Sequence, residues 1–165
     1  MRVLHRAVRY AGALALIFFL GSCDILGLGI GGSAHRSELE RQRVKWARQQ
    51  ITSYNLVYRR ECFCGIEFLT PTVMEVRAGD IATARYAESD APLPLWVQDR
   101  LPTVEGLFDI IGDALDSEVD LLEVVYDPAL GYPRRIAIDY RFSAADDEVT
   151  HLVSALEILL PPVIP

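Results

Sequence analysis

One lysine, three histidines and two methionines in 165 residues leave this chain short of the side chains on which most enzyme chemistry rests. His5 falls in a segment expected to be removed, so His35 and His151 remain, too few for a histidine-based triad or a three-histidine zinc site. Neither G-x-S-x-G, nor H-E-x-x-H, nor a phosphate loop occurs. A non-catalytic protein is expected. Basic residues are scarce too: 16 Lys and Arg stand against 23 Asp and Glu, a net charge of -7. Nucleic acid is thereby excluded as a partner, because phosphate contacts need clustered cations. There is also no apolar run of the roughly 20 residues that cross a bilayer. The longest candidate, residues 11–20, is about half that length.

That short run has a clear setting. Arg2, Arg6 and Arg9 precede it, and Leu20-Gly21-Ser22-Cys23 follows it. A basic start and a short apolar stretch read as a signal peptide over residues 1–22. The Leu-small-small-Cys ending resembles the bacterial lipobox, which implies acylation of Cys23 on sulfur after cleavage. Each buried methylene contributes about 0.8 kcal/mol, so several acyl chains would hold the protein at a membrane. Such a protein belongs to the bacterial cell envelope, outside the cytoplasm. Asp24 resembles a signal for retention in the inner membrane, but the leaflet stays open.

Removing residues 1–22 leaves 13 basic and 23 acidic side chains, a net of -10, with 16 of the acids between Ala87 and Pro165. Such an acidic half repels anionic headgroups. Residues 23–36 read as a glycine-rich tether. Gly27, Gly29 and Gly32 match a dinucleotide-binding spacing without the strand that would give it meaning.

Residues 37–165 read as one globular domain. Ser37 and Glu40 form a capping box that predicts a helix start, and Val44, Ala47 and Ile51 set its apolar stripe, flanked by Leu39 and Trp46. Period two then predicts a strand from Ser53, with Tyr54, Leu56 and Tyr58 on one face. Strands from Thr72 and Ile81 are joined through Ala78-Gly79-Asp80, where Gly-Asp signals a hairpin. Prolines 92, 94 and 102 mark a loop that folds Trp96 back on the body. Thr103 caps a second helix carrying Leu107, Phe108, Ile111 and Leu115. Strands follow from Leu121 and Arg135, separated by the turn-rich Asp127-PALGYP segment. The segment from Val149 fits strand and helix periodicities alike, and strand is the reading adopted. The order is α-β-β-β-α-β-β-β: an α+β domain of antiparallel sheet covered by two helices, with two related halves.

Trp46, Ile51-Thr-Ser-Tyr54, Cys62-Phe-Cys64, Val76-Arg-Ala-Gly79, Leu107-Phe108-Asp109, Tyr126-Asp127-Pro128, Gly131-Tyr132-Pro133, Ile138-Asp139 and Asp146-Asp147-Glu148 occur in this order. Together they resemble the bacterial lipoproteins of domain-of-unknown-function family 6174, over about Trp46 to Val153. The resemblance implies a secreted or lipid-anchored domain without an established activity.

Two sets of residues are candidates for chemistry. Asp127, Asp139, Asp146, Asp147 and Glu148 offer hard oxygen ligands to calcium, although the D-x-D-x-D-G spacing is missing and solvated turns explain them. Cys62 and Cys64 are the thiols left once Cys23 is acylated, and thiols in an oxidising compartment usually pair. Residues i and i+2 of an extended strand lie roughly 6.5 to 7 Å apart, at or beyond disulfide range. A bridge therefore requires the strand to end near Glu61 and curl. The alternatives are two buried thiols, a redox pair favoured by Arg59 and Arg60, or a soft-metal site for copper completed by Met74 or His151. A thiol-dependent redox or copper-handling protein is thus the rival of a lipid-anchored binding module or inhibitor. No cofactor is expected for the module, and its partner would be another envelope protein.

Overall fold

The structure is a computed structural model that describes residues 30–160. The expected signal peptide, the expected lipid attachment at Cys23 and the expected tether up to residue 29 lie outside the described residues. Ten elements follow: α1 (Ile30–Arg48), β1 (Tyr54–Cys62), α2 (Ile66–Leu69), β2 (Thr72–Arg77), β3 (Asp80–Tyr86), α3 (Leu95–Gln98), α4 (Val104–Asp116), β4 (Leu121–Tyr126), β5 (Pro133–Asp139) and β6 (Glu148–Ile158). The α+β class and the order of the main elements are as expected, and the ambiguous last segment is a strand. The additional α2 and α3 are single turns.

All six strands form one antiparallel sheet in the order β3-β2-β1-β6-β5-β4. Two three-stranded meanders meet where β1 pairs with β6, from Tyr54 opposite Ile158 to Cys62 opposite Val149. Three antiparallel steps make β4 run opposite to β1, yet α1 and α4 lie on one face. The likeness of the halves is therefore one of chain order, because a rotation that reversed the strands while keeping their order across the sheet, β3-β2-β1 onto β6-β5-β4, would also swap the sheet's faces.

Strand periodicity decides what that covered face holds. Tyr54, Leu56 and Tyr58 of β1 join Met74 and Val76 of β2, Ile136 and Ile138 of β5 and Val153 of β6 in a core closed by Val104, Leu107, Phe108 and Ile111 of α4. Each such side chain contributes roughly 1.5–3 kcal/mol on burial. Thr103 caps α4 as expected, its hydroxyl accepting from the Gly106 N–H at 3.3 Å.

Two expectations are corrected. Helix α1 begins seven residues before Ser37, so residues 30–36 are helix and His35 lies in α1. Helical Gly31 and Gly32 each cost about 1 kcal/mol relative to Ala, and an ion pair from Arg36 to Asp116 of α4, 2.7 Å, holds this extension on the domain. The apolar stripe of α1 is also rotated. Leu39 and Trp46 are buried, whereas Val44 is 47% exposed and Ala47 is exposed. The inward row is Leu39, Gln42, Arg43 and Trp46, because Arg43 lies over the Phe108 ring at 5.7 Å and pairs with Asp109 at 3.0 Å.

The β2–β3 turn is one residue earlier than the Gly-Asp signal. Ala78 and Gly79 occupy it, both with positive φ (52° and 90°), while Asp80 already belongs to β3. Two left-handed residues match the twist of a tight hairpin.

Candidate functional site

The inward row of β1 changes character along its length. After Tyr54, Leu56 and Tyr58 the next residues on that face are Arg60 and Cys62, so the core gives way to a polar groove at one end of the sheet. Cys62 and Cys64 are joined by a disulfide, with Cα atoms 5.3 Å apart. The bend required for this is present: the Cys64 N–H donates to the Cys62 carbonyl at 3.0 Å, closing a three-residue turn with Phe63 at its tip. Strand pairing ends one residue later than Glu61, at Cys62.

Phe63 is 81% exposed and Ile66, at the start of α2, 68%. Phe68 of α2 meets Trp96 of α3 edge-on at 5.7 Å, and the Arg60 guanidinium lies over the Phe68 ring at 5.0 Å. Trp96 is folded back on the body in this sense, although it stays 48% exposed.

The groove encloses about 400 Å³. It is lined by Cys62, Phe63 and Cys64, by Ile110 and Tyr140, and by the acidic Asp146-Asp147-Glu148 run. His151 lines it beside Arg60, its partner across the β1–β6 ladder. His151 is buried, and its Nδ1 lies 2.7 Å from the Tyr58 hydroxyl. Arg60 Nε donates to the same oxygen at 3.4 Å. The Tyr58 hydroxyl thus accepts from Arg60 and shares a hydrogen bond with His151 Nδ1. Burial, and next the Arg60 charge, push the His151 pKa down to about 4, so the ring is neutral at pH 7. Burial likewise raises the Tyr58 pKa, against the pull of Arg60.

Around the acidic run, carboxylates crowd one another. Loss of solvation raises the Asp139 pKa, and the charges of Asp147, Glu148 and Asp120 add to it. Among the described residues, Asp139 Oδ1 and both oxygens of Asp147 have no hydrogen-bond partner, and Arg141 Nε lies 3.7 Å from Asp147.

The fold disperses the other candidates. Asp127 lies at the opposite end of the sheet, where its Oδ1 accepts from the Ala129 and Leu130 N–H groups at 2.9 and 2.8 Å, a turn-forming role. It does not meet Asp139 or residues 146–148. Met74 pairs with Leu56, six residues along β1 from Cys62 and about 20 Å away at strand rise, so it offers the cysteines no ligand. His151 does share the groove with them. Among the described residues, no three His, Cys, Asp or Glu side chains are placed to hold a metal ion.

A second recess of about 340 Å³ lies between α1 and α4. At its base Glu105 accepts from Trp46 Nε1 at 2.8 Å and from the Tyr54 hydroxyl at 3.5 Å, while the Val104 N–H donates to that hydroxyl at 2.9 Å. Trp46 also packs edge-on against Tyr54 and Tyr132. Gly131 has φ +88°, and a Cβ there would stand 3.2 Å from the Gln42 carbonyl of α1. These are joints between elements rather than reactive groups.

The family of unknown function DUF6174 matches residues 38–158. The chain belongs to that family. No curated protein and no solved structure shows detectable similarity to it. Several motifs of the DUF6174 resemblance thus have structural tasks: Trp46 and Tyr54 seat α1 and α4, Asp127 and Gly131 shape the β4–β5 turn, and Cys62 and Cys64 bend the end of β1. Among the described residues, no helix is long and apolar enough to cross a membrane.

The Tyr58–His151–Arg60 group and Glu105 were missed in the sequence. Period two does put Tyr58 and Arg60 on one face of β1, a usable signal. Nothing local indicates that His151, 93 residues on, arrives opposite them.

Proposed function

We propose that this member of DUF6174 is a lipid-anchored, non-catalytic interaction module of the bacterial cell envelope, held to a membrane through acyl chains on Cys23 and exposed outside the cytoplasm. The basic start, short apolar run and lipobox-like Leu20-Gly21-Ser22-Cys23 support the anchor. The observation that carries the interaction role is the Phe63 turn. A phenylalanine 81% in solvent contributes nothing to the core, yet the Cys62–Cys64 bridge restricts the chain around it, with Ile66 exposed next to it. An apolar side chain presented on a constrained turn loses little further entropy on contact.

A photo-crosslinking residue at position 63 in cells is expected to capture an envelope component, and one at Val125, 51% exposed at the other end of the sheet, is not. Absence of any adduct at 63 would reject the interaction role. Palmitate labelling tests the anchor separately: label that persists in Cys23→Ala removes it.

A second reading is favoured by the exposure of Cys64 beside Arg60 in an open groove. In it, the disulfide takes up two electrons and two protons from a partner dithiol, which becomes the disulfide, and copper handling would use the resulting thiols. A reduction potential above about -200 mV would support this reading, and one below about -300 mV marks a structural bridge.

A further inference from the structure

The exposed apolar residues are not spread evenly. Cys62 ends β1 opposite Val149, Asp139 ends β5 opposite Glu148 and Leu121 begins β4 opposite Asp139, so all of these lie at one end of the sheet. Phe63, Ile66, Leu121, Tyr140 and Phe142 are within a few residues of these rungs, and all are exposed. Trp96, which packs on Phe68 of α2, and its neighbour Leu95, 74% exposed, continue the patch along the β1 side. Together they are seven of the eleven exposed large hydrophobic side chains among the described residues. The Phe142 N–H donates to Asp120 just before β4 at 2.8 Å, which ties the β5–β6 loop to this same end. From β1 to β4 is three strand spacings, about 14 Å, so the residues make a compact rim.

The N-terminal helix leads to this end as well. Helices α1 and α4 run antiparallel, with Trp46 on Glu105, Arg43 on Asp109 and Arg36 on Asp116. The last of these joins the early part of α1 to the end of α4, four residues before Asp120. Ile30 begins α1 six residues ahead of Arg36, and Cys23 stands only seven residues earlier in the chain. Seven residues reach at most about 25 Å. An anchor on Cys23 therefore keeps this end of the domain close to the bilayer.

We infer that the Phe63 end of the sheet is a docking surface for the bilayer itself, with Phe63, Ile66, Trp96 and Phe142 entering the headgroup region of the membrane that holds the anchor; this rests on the anchored interaction module proposed above. Aromatic rings suit that boundary, and the chain on Cys23 removes most of the entropic cost of reaching it. Asp139, Asp146, Asp147 and Glu148 sit on the same end and set the lipid preference. They oppose anionic headgroups, so the surface selects zwitterionic lipid.

Tryptophan provides the readout, because Trp46 is buried in the core and Trp96 belongs to the patch. The acylated chain, purified from membranes, is reconstituted in phosphatidylcholine vesicles whose acyl chains carry bromine. Quenching is expected, absent in Trp96→Phe, reduced in the Phe63→Ser/Phe142→Ser pair, and weaker when phosphatidylglycerol replaces part of the lipid. Both serine changes fall on exposed positions, and an unchanged circular dichroism spectrum verifies the fold. A palmitate-labelled chain whose Trp96 stays unquenched overturns the docking and leaves the anchor standing. An unlabelled chain overturns both. A protein crosslinked at position 63, with Trp96 unquenched, transfers the surface to a protein partner and likewise overturns the docking.

Discussion

His151 shows how much one side chain depends on its surroundings. Its pKa of about 4 is below the ordinary 6.5 because burial, and then Arg60, penalise the charged ring. The unfolded chain binds the proton more readily, so the stability His151 confers is complete above pH 6.5. It falls as the pH drops from 6.5 to 4, and below 4 there is no further loss. A depression of that size corresponds to roughly 3 kcal/mol. Urea midpoints at pH 7 and pH 4.5 are expected to lie well apart in the wild type and closer together in His151→Phe; an unchanged gap would contradict the assignment. None of this is legible in the residue itself, since a histidine in an alternating strand faces either side. What places it inside is the β1–β6 register, shifted by a bulge between Val57 and Tyr58.

Single elements illustrate where local rules hold and where contacts overrule them. The β2–β3 hairpin was visible in its turn residues, but its register was not, and Ala78 takes φ +52° at a position that suits Asn or Gly. An L-residue with a Cβ costs about 1–2 kcal/mol there. Ala78→Asn is expected to raise the urea midpoint by the equivalent of about 0.5–1 kcal/mol. Gly131 is the opposite case. Positive φ and the 3.2 Å approach of the Gln42 carbonyl make a Cβ there both strained and crowded, so Gly131→Ala should destabilise by about 1–3 kcal/mol. Equal midpoints for the two variants would contradict both assignments. Helix α1 departs furthest from its sequence reading, because a helix with few apolar residues is oriented by two of them, Leu39 and Trp46, and by Arg43 on Phe108 and Asp109. Periodicity ranks hydrophobic residues and has no measure of such a cation's partners.

At the scale of the whole molecule, charge and apolar surface are both unevenly placed. The second half carries 16 acids and 4 basic residues, and the fold gathers Asp139, Asp146, Asp147 and Glu148 at one end, where desolvation, and next the charges of Asp147 and Glu148, raise the Asp139 pKa. Exposed ion pairs such as Arg36–Asp116 offset little of this, at up to about 1 kcal/mol each. Raising ionic strength to about 0.15 M, where charges are screened beyond about 8 Å, is therefore expected to stabilise the domain against urea at pH 7. A midpoint that falls with salt would mean that the ion pairs outweigh the crowding.

The sequence by itself determined the order of the main elements, the capped start of α4, the inward row of β1, the family and the lipobox-like segment around Cys23. Each of these is written in spacing over a few residues, where backbone geometry and burial act locally. The tertiary structure decided that β1 lies beside β6, that α1 turns Val44 outward, that Asp127 stands apart from the other acids, and that His151 shares a groove with the disulfide. Those outcomes depend on which distant segments meet, and the contacts that select them are made only when the sheet closes over its core.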